Sequence, residues 1–163
     1  MSGFLRDLVL IVLVLVLLAL QLVLNRYVSW LSMLDLPLIA VLYLTLSKES
    51  LVWTVLSGTG VGFLQDSLSL GAMGMNGFTK ISVSFLAYLA NSVFAIDRLA
   101  ARWIMLFLAS VVATLMLFLL RVLFLNREEV VDVKQLLTMG LVNACLGLAI
   151  FYLFDRMTRD SND

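Results

Sequence analysis

Three ionisable side chains, Asp66, Lys80 and Arg121, stand within long apolar stretches of this chain, and they are the residues with most chemistry to offer. If those stretches cross a bilayer, Asp66 falls near the outer end of the third, Lys80 near the outer start of the fourth and Arg121 near the outer end of the fifth. All three then share one depth. A carboxylate placed at the centre of a membrane helix costs roughly 2.5–3.5 kcal/mol on insertion scales, so it normally faces inward and pairs. We therefore expect Asp66 to pair with Lys80 or Arg121 and to tie helices together; proton relay or substrate binding at Asp66 is the sharper alternative. Long basic side chains could also snorkel to the interface unpaired.

Small residues form a second pattern. Thr54, Gly58, Gly62 and Asp66 are four apart and share one helix face, and Gly140, Asn143, Ala144 and Gly147 group in the same way on the last segment. Such stripes let another backbone approach closely. The visitor is either a helix of this chain or one from another protein, and Asn143 is placed to hydrogen-bond across either interface. Between Asp66 and Phe78 the run DSLSLGAMGMNGF carries three glycines. It reads as a tight outer connection or a short re-entrant turn.

What is missing removes most catalytic classes. The chain has no histidine and one cysteine, so neither a Ser-His nor a Cys-His arrangement can form. Cys145 reads as a small core residue. One intramembrane aspartate does not make an aspartyl-protease dyad, and Gly58-Thr59-Gly60 does not lead into the Gly-Lys-Ser/Thr of a phosphate loop. No enzymatic activity, metal or cofactor is expected. Eleven Lys plus Arg balance eleven Asp plus Glu, which gives no basic surface for nucleic acid.

The elements that position these residues follow from composition. Hydrophobic residues make up 63% and charged residues 13% of the chain, against roughly 45–50% and about 25% in soluble domains, and mean hydropathy is +1.08. From Leu8 to Leu24 seventeen residues pass without a charge. This reads as a retained first helix, not a cleavable signal, because no small-residue cleavage site follows. We expect an all-α integral membrane protein, one domain over residues 1–163, with a compact bundle of about six transmembrane helices at 8–24, 34–47, 51–67, 76–94, 103–125 and 134–154. The second is short for a full crossing; Asp35 can cap it and Pro37 suits its first turn. It either extends back through Trp30 to Met33 along the interface or sits in thinned bilayer.

With both termini inside, Arg6, Lys48, Arg98, Arg102, Arg156 and Arg159 are cytoplasmic. Arg26, Arg127 and Lys134 lie opposite once Lys80 and Arg121, inside helices, are set aside. That asymmetry follows the positive-inside rule. Trp53, Trp103 and Tyr152 would mark the inner interface, Tyr27 and Trp30 the outer one.

The segment GTGVGFLQDSLSLGAMGMNGFTKISVSFLAY, Gly58 to Tyr88, resembles the central motif of the rod shape-determining membrane protein MreD family. The resemblance rests on Gly58, Gly62 and Asp66 in a Gly-x-x-x-Gly-x-x-x-Asp run, Gly74, then Ala87, Tyr88 and Leu89, with Lys80 and Ser82 where a lysine and small polar residues are common. Length, six apolar segments and Pro37 extend it over the whole chain. It implies a fold similar to the substrate-binding subunits of energy-coupling-factor (ECF) transporters. It also implies a multi-pass subunit of the bacterial inner (cytoplasmic) membrane in the cell-elongation machinery that sets cell shape. The expected partners are the single-pass protein MreC, the peptidoglycan synthase formed by RodA and a class B penicillin-binding protein, and, indirectly, MreB filaments.

The runner-up is an ECF vitamin-transporter subunit. It would use alanines four apart in the first segment to dock on its coupling subunit, whereas Ala19 is the only alanine there. A third possibility is a lipid-binding or proton-coupled transporter using Asp66.

Overall fold

Turn-forming and charged residues interrupt the apolar sequence at five places, and between them a computed structural model of the chain has, among the described residues, six helices. They are α1 Gly3–Tyr27, α2 Leu36–Lys48, α3 Leu51–Leu68, α4 Met75–Phe94, α5 Leu99–Leu125 and α6 Val133–Arg159. The structure describes residues 3–27, 34–48, 50–69, 72–94, 99–126 and 131–159. The side chains of Tyr27, Trp30, Arg98 and Arg127, and the centre of the loop between α5 and α6, lie outside the described residues. Each helix overlaps one of the expected segments, but α1 begins five residues earlier and ends three later, α5 begins four residues earlier and α6 ends five later.

The short second helix is the centre of the molecule. Ten of its thirteen residues, Leu36 to Thr45, are buried, and it packs against each of the other five helices. An enclosed helix has no need to match the thickness of a surrounding phase. The expected extension of this helix through Trp30 to Met33 falls on residues that are not described.

Around α2, the neighbours α3 and α4 form the most extensive pair, followed by α5 and α6, with α4 also lying on α5. Short connections make each pair antiparallel. α1 lies to one side, against α2 and α3, through a single ridge of Leu10, Val14, Leu18 and Gln21 at the three- and four-residue spacing of one helix face.

The core is mostly aliphatic, yet several polar side chains are buried in it while many large apolar ones are exposed. Lys80 and Asp66 are only 1% and 2% exposed, while Phe124, Val93 and Leu123 are 74%, 73% and 66% exposed. The apolar helical stretches Leu99–Leu125 and Val133–Met157 are long enough to cross a membrane, and only 28% of each apolar window is buried. Cys145, expected in the core, is exposed on α6; the neighbouring Asn143 and Ala144 take the buried positions.

Candidate functional site: a polar clamp at one end of the bundle

The first residues of a buried helix carry backbone N–H groups with no partner inside the helix, and water cannot reach them. At the start of α2 every such group is accounted for by side chains or by the helix itself. Asp35 N donates to Asn143 Oδ1 of α6 at 3.1 Å, and Leu36 N donates to Gln21 Oε1 of α1 at 2.9 Å. Pro37 has no N–H to satisfy. Leu38 N donates to Asp35 Oδ1 at 3.0 Å, the cap anticipated from the sequence, and Ile39 N bonds the Asp35 carbonyl at 3.1 Å. Gln21 Nε2 also donates to the Leu34 carbonyl. Three helices thus grip the segment from Leu34 to Leu38, one of them through a charge: Lys80 Nζ of α4 lies 3.1 Å from Asp35 Oδ2.

That ion pair corrects the expected one. Lys80 does not pair with Asp66, and Arg121 lies exposed on α5. Asp66 is compensated in another way. Its Oδ2 accepts from Gly74 N at 2.9 Å and Gly77 N at 3.2 Å, and its Oδ1 from Asn76 N at 3.2 Å and Asn76 Nδ2 at 2.8 Å. Four donors occupy the carboxylate's lone-pair positions, and three of them are backbone groups around the start of α4, where the helix dipole favours negative charge. Asp66 caps α4 from another helix. Lys80, one turn into α4, is rotated towards α2 and meets Asp35 first.

The glycine stripe on α3 places that carboxylate. A Cβ on Gly62 would lie 2.5 Å from Gly77 Cα and 2.7 Å from the Asn76 carbonyl oxygen; one on Gly58 would lie 3.0 Å from Ile81 Cα. α3 and α4 therefore cross backbone to backbone at Gly62 and Gly77, and Asp66, one turn on, arrives under the first turn of α4. Thr54, at the far end of the stripe, is fully buried and bonds its own helix at the Ser50 carbonyl, 3.0 Å away. Gly74 returns the chain with φ +93, a conformation that costs side-chain-bearing residues energy and glycine little.

On α6, the second stripe is also taken up within the chain. Gly140 faces Phe107 and Val111, and Gly147 faces Leu106, all on α5. Neither stripe is left open for a helix from elsewhere. Tyr88 is half-buried and Ala87 buried on α4.

At the opposite end of the bundle, Asp155 of α6 accepts from Tyr43 Oη of α2 at 3.1 Å and from Arg102 Nη1 of α5 at 2.9 Å. The Tyr43 ring lies edge-on to Phe151 and Phe154, with centroids 5.2 and 4.8 Å away. α2 is thus held at both ends. Sequence reasoning missed Asp35 as the partner of Lys80, the grip of Gln21, and the Tyr43–Asp155–Arg102 link. Gln21 is visible in the sequence as the one hydrogen-bonding side chain between Leu8 and Leu24, whereas the other two depend on helix rotations that spacing does not encode.

Comparison with protein-family models, with curated proteins and with solved structures finds no match.

Proposed function

We propose that this chain is a membrane-embedded, non-catalytic scaffold subunit of the kind the MreD resemblance implies, one that holds partner proteins of the bacterial cell-elongation complex in place. The observation that carries the membrane part is the exposed surface: a lysine and an aspartate are buried inside, while many leucines, valines and phenylalanines on the described helices are exposed. Water would penalise that surface, whereas hydrocarbon accepts it and requires polar groups to be satisfied internally. In this reading all six helices lie in the bilayer with both termini cytoplasmic. The Asp35–Lys80 and Asp66 clusters then lie towards the outer face, and the Asp155 cluster towards the inner.

The scaffold part is supported by what the polar residues do. Asp66, Lys80, Gln21 and Asn143 are engaged with the protein's own backbone and side chains, fixing the helix ends. Gly58, Gly62, Asp66 and Gly74, which carry the resemblance, act together as one α3–α4 crossing. Because the glycine stripes are occupied internally, contact with MreC, and with RodA and its penicillin-binding partner, belongs on the exposed apolar faces and the outer loops. Binding there could bias a synthase only by contacting its two states with different free energy.

Co-purification of the tagged full-length chain in mild detergent, with mass-spectrometric identification of what accompanies it, tests the reading. Recovery of a single-pass protein with a periplasmic coiled coil is the expected result. Stoichiometric capture of a vitamin, with no companion polypeptide, would sink it and favour a transporter subunit.

A further inference from the structure

An apolar groove with a volume of about 200 Å³ opens between α1 and α3, floored by α2. Val14, Leu56 and Leu64 form its walls, and Gly60 leaves a gap in one of them, since a Cβ built there meets nothing within 4 Å. One end is different: Lys48, where α2 stops, and Trp53, in the first turn of α3, line it together, with Lys48 Nζ 5.5 Å from the indole centroid. We propose that the groove holds one acyl chain of an anionic phospholipid whose phosphate lies at Lys48. The inference rests on the membrane reading above.

Size selects the occupant. A dry cavity of about 150 Å³ accommodates a benzene ring, so the volume here suits about eight carbons of a chain, whereas a helix about 10–12 Å across does not fit. The lining chemistry agrees, because walls of leucine and valine offer an acyl chain contact without competing hydrogen bonds. Charge then selects the headgroup. A lysine near the bilayer surface favours anionic lipid by roughly fivefold, and tryptophan settles at headgroup level.

The test uses the full-length protein, stripped of lipid in mild detergent and titrated with phosphatidylglycerol or phosphatidylcholine, with bound lipid counted by native mass spectrometry. One retained lipid is expected, with phosphatidylglycerol preferred about fivefold. Gly60→Leu fills the gap and should abolish retention while leaving helicity and lipid-free Tm unchanged; if it misfolds, Leu64→Trp narrows the groove from its other end and should do the same. Lys48→Gln should keep the lipid and lose the headgroup preference. Failure of the wild type to retain lipid, retention by a folded groove-filling variant, or a preference that survives Lys48→Gln overturns the proposal. So does loss of a bound polypeptide in Gly60→Leu with the lipid count unchanged. A chain that stays monodisperse without detergent overturns the membrane reading itself, which a detergent-dependent chain lacking lipid does not.

Discussion

Replacing Asp35 by leucine would leave the Lys80 ammonium buried without a counter-charge, a change that costs about 3–5 kcal/mol when one partner of a buried pair is removed. Lys80→Met alone should cost less, and the double variant should recover much of the loss. A double-mutant cycle on unfolding in detergent should therefore show strong coupling between positions 35 and 80 and almost none between 66 and 80. Coupling of the reverse order would refute the assignment. Asp66→Ala removes the acceptor of four donors and should lower stability by about 2–4 kcal/mol, with hydrogen exchange rising at residues 74–77 before the rest of α4. The need to compensate Asp66 was readable from its setting, but its partner was not. Spacing along a helix gives the depth of a charge, whereas the choice between Lys80 and the first-turn amides depends on how α4 is rotated about its axis.

The helices should report their crossings through glycine substitutions. Gly62→Ala drives a Cβ into the backbone of α4, which cannot give way as a side chain can, so marked loss of thermal stability is expected. Gly140→Ala meets only the Phe107 ring and Val111 methyl on α5 and should cost less. Gly60→Ala meets nothing and should leave stability unchanged or raise it by up to about 1 kcal/mol through helix propensity. Thermal unfolding of the three variants side by side tests this ranking; equal effects would show that close approach is not what these glycines supply. Both small-residue stripes could be seen in the sequence because four-residue spacing marks a face. Which neighbour occupies each face could not, since a helix from another protein would require the same residues.

At the scale of the whole molecule, six apolar runs separated by breaks were enough to locate the six helices of the described residues. What the runs did not disclose was that the shortest is central, because low length and high hydropathy describe a buried helix and a poor membrane span equally well. The exposed Cys145 offers a direct check on what surrounds the bundle. It should resist a membrane-impermeant maleimide added from either side of sealed vesicles and react once the protein is denatured. Labelling in intact vesicles would place water against α6 and contradict a hydrocarbon environment.

The enclosure of α2 also has a consequence for biogenesis. If the bundle lies in a bilayer, as proposed, thirteen residues at 1.5 Å each reach about two-thirds of the way across hydrocarbon about 30 Å thick, so this segment would have no stable resting place there alone. Its start is gripped by Gln21, which emerges earlier, and by Lys80 and Asn143, which emerge much later. Final seating of α2 must therefore wait until α6 has been synthesised, making the second helix in the chain one of the last to reach its place.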